Sequence, residues 1–240
     1  MRNKGIQVLI TSYNSAKYLN RCLNSIEKAL KGYHWILIFC DDDSQDETES
    51  IIKKYILNSS AQHCIYKKFT KADTVGEAKN RTFKLCLEHV IEFPILCPMD
   101  ADDKMGEKRI STLLPHVNES SPIVYGDYII NHLSDDTTQY ISAESPILQN
   151  HLVFAWWATL IHYSLIPEDG GFFREDLFVH EEILKWWELK YKDNINIKPI
   201  SGEPVHYYNY IVENSITAKS SEKDLDILKI EKEKIHPIPH

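Results

Sequence analysis

Asp100-Ala101-Asp102-Asp103 crowds three carboxylates into four residues, directly after the apolar run Ile95-Leu96-Cys97-Pro98-Met99. Two like charges roughly 4 Å apart repel by about 4 kcal/mol at an effective dielectric near 20. Such crowding is hard to explain unless a cation or a donor-rich ligand offsets it, and an all-oxygen set suits a hard divalent ion such as Mg2+ or Mn2+. The competing reading is a solvated loop or a helix cap, because Asp is common just before helices. A second cluster, Asp41-Asp42-Asp43, follows the apolar run that ends at Cys40, and on its own it serves equally well as capping material. Thr11-Ser12-Tyr13-Asn14 closes a third apolar run, Ile6-Gln7-Val8-Leu9-Ile10. In an open parallel sheet, ligands bind beyond the carboxyl ends of the strands, near the point where the strand order reverses. Neighbouring strands lie about 4.8 Å apart, so three such ends can converge on one cleft.

The elements that must position these clusters follow from periodicity. Ile6–Ile10 and Trp35–Cys40 read as buried strands, and Cys64–Phe69 and Ile95–Met99 as two more. Helical spacing links Tyr18, Leu19, Cys22, Leu23, Ile26, Ala29 and Leu30. Further helices are expected over roughly 46–57, after Gly76, and near 107–117. Alternating strands and helices over 1–118 argue for βαβ units and a mostly parallel sheet. Beyond that, a strand is expected over Pro122–Ile130, an antiparallel excursion or loop over 131–150, a helix over 180–191 and a last strand over Pro204–Val212. Residues 220–240 read as a charged tail. Trp156, Trp157 and Tyr163, with Trp186 and Trp187, could floor a ligand site by stacking, although tryptophans more often serve as core.

Composition narrows the classes. The chain has 240 residues, and 27 Lys plus Arg against 35 Asp plus Glu give a formal charge of −8, so it lacks the basic footprint of a nucleic-acid binder. No apolar stretch is long enough to span a bilayer, and no signal peptide is recognisable at the N-terminus. The five cysteines are scattered, with no Cys-x-x-Cys pair, which argues against a zinc site and for reduced core thiols. A cytoplasmic protein is expected, at most peripheral on the inner face of a membrane, with its oligomeric state open.

Taken together, the segments resemble the inverting, GT-A-fold glycosyltransferases of family 2. Thr11-Ser12-Tyr13-Asn14 looks like the motif ending that family's first strand. Asp41-Asp42-Asp43-Ser44-Gln45-Asp46-Glu47-Thr48 is similar to its Asp-Asp-Gly-Ser-x-Asp-x-Thr, and Gly76 through Arg81 to its Gly-x-x-x-x-Arg. Asp100-Ala101-Asp102-Asp103 matches the metal motif, and Ile123–Asp127 the strand after it. Gly170-Gly171-Phe172-Phe173, His180-Glu181-Glu182 and Asn214-Ser215-Ile216-Thr217 resemble the later elements, in the family's order.

The resemblance implies an α/β fold of GT-A type: a Rossmann-like, mostly parallel central sheet with helices on both faces, and a C-terminal acceptor-side region. Residues 1–118 would form the nucleotide-sugar half, 119–219 the acceptor and catalytic half, and 220–240 a tail. Thr11, Tyr13 and Asp42 would hold the nucleotide base, with Arg81 near the nucleotide or its phosphates. Asp102 and Asp103 would serve the ribose and a Mn2+ or Mg2+ ion, with Asp100 at the cleft edge; aspartates in this motif exchange roles, so the ligand is left unassigned between Asp102 and Asp103. Glu182, where the family usually has Asp, would be the general base for an acceptor hydroxyl, with Glu181 as its rival. The implied partners are a nucleotide sugar, a UDP-sugar first, and a glycan acceptor of surface polysaccharide or lipid-linked glycan synthesis.

Three departures stand out. Asp43 replaces the usual Gly, and Thr82 stands where Asn is frequent. Tyr210 and Val212 occupy the places of an Arg and a His near the closing motif, leaving His206 or His180 as a substitute. The rival readings are a nucleotidyltransferase, which should carry a Gly-rich loop that residues 11–17 lack, and a non-catalytic nucleotide- or glycan-binding module.

Overall fold

The computed structural model describes residues 4–145, 156–176, 184–186 and 188–210. Strand β1 (Ile6–Ser12) leads through helix α1 (Ala16–Ala29) to β2 (Trp35–Asp41), then α2 (Thr48–Ile56), β3 (His63–Lys68), α3 (Val75–Cys86) and β4 (Ile95–Asp100). Next come β5 (Lys104–Met105), α4 (Arg109–Leu113), β6 (Ile123–Gly126), β7 (Tyr128–His132), β8 (Thr137–Ile141), β9 (Thr159–His162), β10 (Ile197–Ile200) and β11 (His206–Tyr210).

Seven strands form the main sheet in the order β10-β6-β9-β4-β1-β2-β3. Both neighbours of β1 run parallel to it, and β9 alone is antiparallel to its neighbours β4 and β6. Every residue of β2 is buried, which is why its apolar run is continuous rather than alternating. From β1 the chain steps outward to β2 and β3, then returns across β1 to β4. With right-handed crossovers, α1 and α2 cover one face and α3 the other. The reversal makes the gap between β1 and β4 the switch point of the sheet. Gln7, wholly buried on β1, ties α3 to this centre: its Nε2 donates to Cys86 O (3.0 Å) and Phe93 O (2.8 Å).

A second sheet, β5-β11-β7-β8, holds the expected excursion as an antiparallel β7–β8 pair. One strand was expected over Pro122–Ile130. The chain instead breaks at Asp127 and changes sheets, because the buried Asp127 carboxylate accepts from Ala143 N (2.6 Å), Gly202 N (2.8 Å) and the Tyr140 hydroxyl. Three further strands, β5, β9 and β10, were not foreseen: β5 is two residues long, β9 follows directly on the aromatic pair Trp156-Trp157, and β10 carries a proline. The last strand begins at His206 and its described part ends at Tyr210; Val212 lies outside the described residues, as do the first residues of the helix expected over 180–191.

Trp156, Trp157 and Trp186 are core: 3%, 9% and 1% exposed. Trp156 packs against Phe173 and Trp186 with ring centroids 4.8 and 5.3 Å apart. Trp187 lies outside the described residues.

Candidate active site

Three of the sequence motifs end on three adjacent strands. Thr11 of β1 pairs in register with Asp100 of β4, and Ser12 with Asp41 of β2. The polar clusters therefore share one edge of the sheet, at its switch point. A narrow crevice there is lined by Thr11, Lys79, Thr82, Asp100 and Trp156.

At the β2 end, adjacent carboxylates divide the work. Asp41 is fully buried and structural: Ser44 N donates to its Oδ1 (2.8 Å) and the Tyr66 hydroxyl to its Oδ2 (3.1 Å). Burial, and then the Asp41 charge, push the Tyr66 phenol well above its usual range. Asp42 faces the opposite way, as alternation at a strand end requires. Ala72 N (2.8 Å) and Arg81 Nη1 (3.4 Å) donate to its Oδ1, and Lys71 Nζ (2.5 Å) to its Oδ2. Lys71 Nζ also sits 3.5 Å from the ring centroid of Tyr13, which is 44% exposed. Arg81 is fixed by Glu77 (2.6 Å) and Thr70 O (2.6 Å). Tyr13, Asp42 and Arg81 are thus linked, with Lys71 bridging Tyr13 and Asp42. Lys71 was not singled out from the sequence; its only signal is a cation following the third strand.

The departures from the family pattern acquire reasons. Asp43 has φ +68°, the left-handed region that glycine favours and that Asp tolerates better than most residues. Thr82 meets Thr11 hydroxyl to hydroxyl at 2.8 Å. Gly76 has no room for a Cβ, which would run into the carbonyl oxygen of Arg174. Asn80, four residues on, clasps the same segment: its Oδ1 accepts from Phe172 N (3.1 Å) and Phe173 N (2.8 Å), and its Nδ2 donates to Phe173 O (2.9 Å). The Gly76–Arg81 motif and the Gly170–Phe173 motif are therefore one unit.

At the β4 end, carboxylate oxygens of Asp100, Asp102 and Asp103 all lie within 4.8 Å of one another. Asp100 and Asp102 are half-buried and Asp103 is wholly buried. Asn209 N donates to Asp103 Oδ1 (2.9 Å), and His206 Nε2 lies 2.9 Å from Oδ2. Burial raises the Asp102 carboxyl, while its own backbone N–H and Arg21 pull the other way. Burial raises Asp103 further, with the Asp102 and Asp100 charges adding to it. His206 is held well below its usual value by burial and then by Arg109. Its imidazole is not in the cleft but behind the acidic loop. Glu181, Glu182 and His180, and the Asn214–Thr217 motif, lie outside the described residues.

Among the described residues no helix is long and apolar enough to cross a membrane. The model of the family described as "Glycosyl transferase family 2" matches residues 7–171, more than half of the chain. An uncharacterized glycosyltransferase from Nostoc sp. is 27% identical over 177 residues, covering 72% of this chain and 51% of its own length. The chain therefore spans about half the length of that relative. Among solved structures, S. aureus TarS in complex with UDP-GlcNAc superposes with a TM-score of 0.69 at 16% identity, over 95% of this chain and 65% of that one. A mannosyltransferase from Pyrobaculum calidifontis in complex with GDP-Man and Mn2+ gives 0.64 at 13%, over 89% and 59%. Glucosyl-3-phosphoglycerate synthase from Mycobacterium tuberculosis with Mg2+ and UDP gives 0.58 at 14%, over 99% and 81%. The fold is the GT-A fold, and the chain belongs to glycosyl transferase family 2.

Proposed function

We propose that the protein is an inverting, divalent-metal-dependent glycosyltransferase. It moves a sugar from a nucleoside-diphosphate donor, a UDP-sugar first, to a hydroxyl of a glycan acceptor. The reading rests on one observation: Asp42, Thr11 and the Asp100–Asp103 loop stand at the ends of three adjacent strands, across the switch point. Tyr13 offers a ring face and Asp42 an acceptor for a base N–H. For the base to reach Asp42, Lys71 must leave it. The ion pair is half-exposed on the lysine side, so the exchange costs little. Arg81 stays beside Asp42 and faces the nucleotide.

The clustered carboxylates are a hard-oxygen set that fits Mg2+ or Mn2+, with Asp102 as the central holder and Asp100 beside it at the cleft edge. Such an ion, when bound, offsets the charge that develops on the diphosphate leaving group. Glu182, or else Glu181, takes the proton from the acceptor hydroxyl as that oxygen attacks the anomeric carbon from the face opposite the nucleotide. Residues 1–118 act as the donor half and 119–219 as the acceptor half, with surface polysaccharide or lipid-linked glycan as the acceptor class and the cytoplasm as the setting. UDP beside two of the neighbours favours a uracil base, and the GDP-Man complex is the reason to test guanine as well.

The test is a thermal shift with UDP, GDP and their sugars, with and without Mn2+. A ligand that binds only the folded state raises its stability by mass action. A metal-enhanced upward shift with a nucleoside diphosphate is expected; no shift with any of them overturns the reading. Glu182→Gln should keep that shift and lose transfer.

A further inference from the structure

Arg109 is a fully buried cation with no carboxylate in direct contact among the described residues. It occupies the place where the sheet opens. β9 pairs with β4 only at Ile95 and Leu96, and Pro98, which has no N–H to donate, lies beyond that ladder. Arg109 Nη2 closes the gap by donating to Pro98 O (2.9 Å) and Thr159 O (2.6 Å). Its Nη1 lies 3.1 Å from Met99 Sδ and 3.4 Å from His206 Nδ1. A guanidinium can only donate, so Nδ1 must accept, and Nε2 then carries the proton and donates to Asp103. The imidazole is clamped by Trp157, stacked at 4.5 Å between centroids. Three strictly buried groups therefore form a train, Arg109 to His206 to Asp103, from the sheet to the acidic loop. Asn209 completes the hold on that loop, its N on Asp103 Oδ1 and its Nδ2 on Asp102 O (2.5 Å).

We infer that Asp103 is not itself a metal ligand but, with His206 and Arg109, a positioning group that fixes Asp100 and Asp102 to receive the divalent ion. The inference rests on the proposed donor site. Asp103 has both oxygens engaged and no exposed surface, whereas Asp100 and Asp102 remain half-exposed. A partner that orients ligands from behind is worth about 10–100-fold in metal affinity when removed.

The experiment is Mn2+ titration of the full chain by electron paramagnetic resonance with UDP present, beside metal-free UDP binding, at a temperature well below the melt. If wild type takes up no Mn2+, the donor-site reading falls and the inference with it. Given uptake, Asp102→Asn should abolish it, while Asp103→Asn and His206→Ala should weaken it about 10–100-fold and leave metal-free UDP affinity unchanged. His206→Gln, able to accept from Arg109 and donate to Asp103, should fall between His206→Ala and wild type, and it stands in if the alanine variant does not fold. Three results would overturn the inference: undiminished Mn2+ affinity without the imidazole, equal loss of metal-free UDP binding, or an Asp103→Asn loss as complete as that of Asp102→Asn.

Discussion

Two buried carboxylates stand at the ends of the strands on either side of β1, and they are held in opposite ways. Asp42, at the β2 end, is gripped by side chains that reach in from the surface: Lys71 is 47% exposed and Arg81 22%. Asp103, in the turn after β4, is gripped by His206, which is wholly buried, and by a strand backbone N–H. The first arrangement can exchange partners, because a displaced lysine finds water at once. The second cannot, since removing one member strands the others without solvent. One end of the cleft is thus built to trade contacts with a ligand and the other to keep its shape.

The sharpest way to break this comparison is at its rigid end. Arg109→Met leaves Pro98 O and Thr159 O without their donor and His206 Nδ1 without its partner. Unfolding free energy from denaturant titration should fall by about 3–5 kcal/mol. A loss below about 1 kcal/mol would mean that the train contributes no rigidity. At the exchangeable end, Asp42→Ala should weaken UDP binding about 10–100-fold by calorimetry, the range for a hydrogen bond to a charged group. Its effect on metal-free and metal-loaded binding should be alike, because it acts on the base and not on the ion. Lys71→Ala should change stability by less than about 1 kcal/mol, as expected for an ion pair with one exposed partner. A larger loss would place Lys71 with the rigid groups.

The smallest effect concerns a carboxylate far from the cleft. Burial alone would raise Glu27, but hydrogen bonds from Ser59, Ser60 and Tyr55 and from Ser60 N outweigh it and hold the group below its usual value. A depressed carboxyl stabilises the fold above its unfolded value, near 4.5, and loses that contribution as pH falls through the lower folded value. The urea midpoint of wild type should therefore exceed that of Glu27→Gln at pH 7, with the gap closing below pH about 4.5. A gap that stays constant with pH would show that packing, not charge, does the holding.

The first half of the chain was legible because its signals are local. Continuous apolar runs mark β1, β2 and β4, and each ends in its polar cluster, so the convergence of Thr11, Asp42 and Asp100 follows from topology alone. What escaped the sequence is long-range. Nothing local says that the segment around Asp127 changes sheets, because its partners Ala143 and Gly202 lie 16 and 75 residues away. Lys71 carries little local signal, since its place depends on the Tyr13 ring and the Asp42 carboxylate beyond two other strands. His206 was noted only as a substitute ligand, and Arg109 not at all, because a buried Arg announces itself only through the groups that surround it.

The bond between Asp103 and His206 spans 103 residues. At a synthesis rate of about 5–20 residues per second, the acidic turn emerges roughly 5–20 s before the strand that completes it. During that interval a cation and an anion meant for the interior have no place to go, and the nascent first half must keep them in water. The acidic edge of the sheet is consequently a late product of folding, finished only when the last described strand arrives and closes over it.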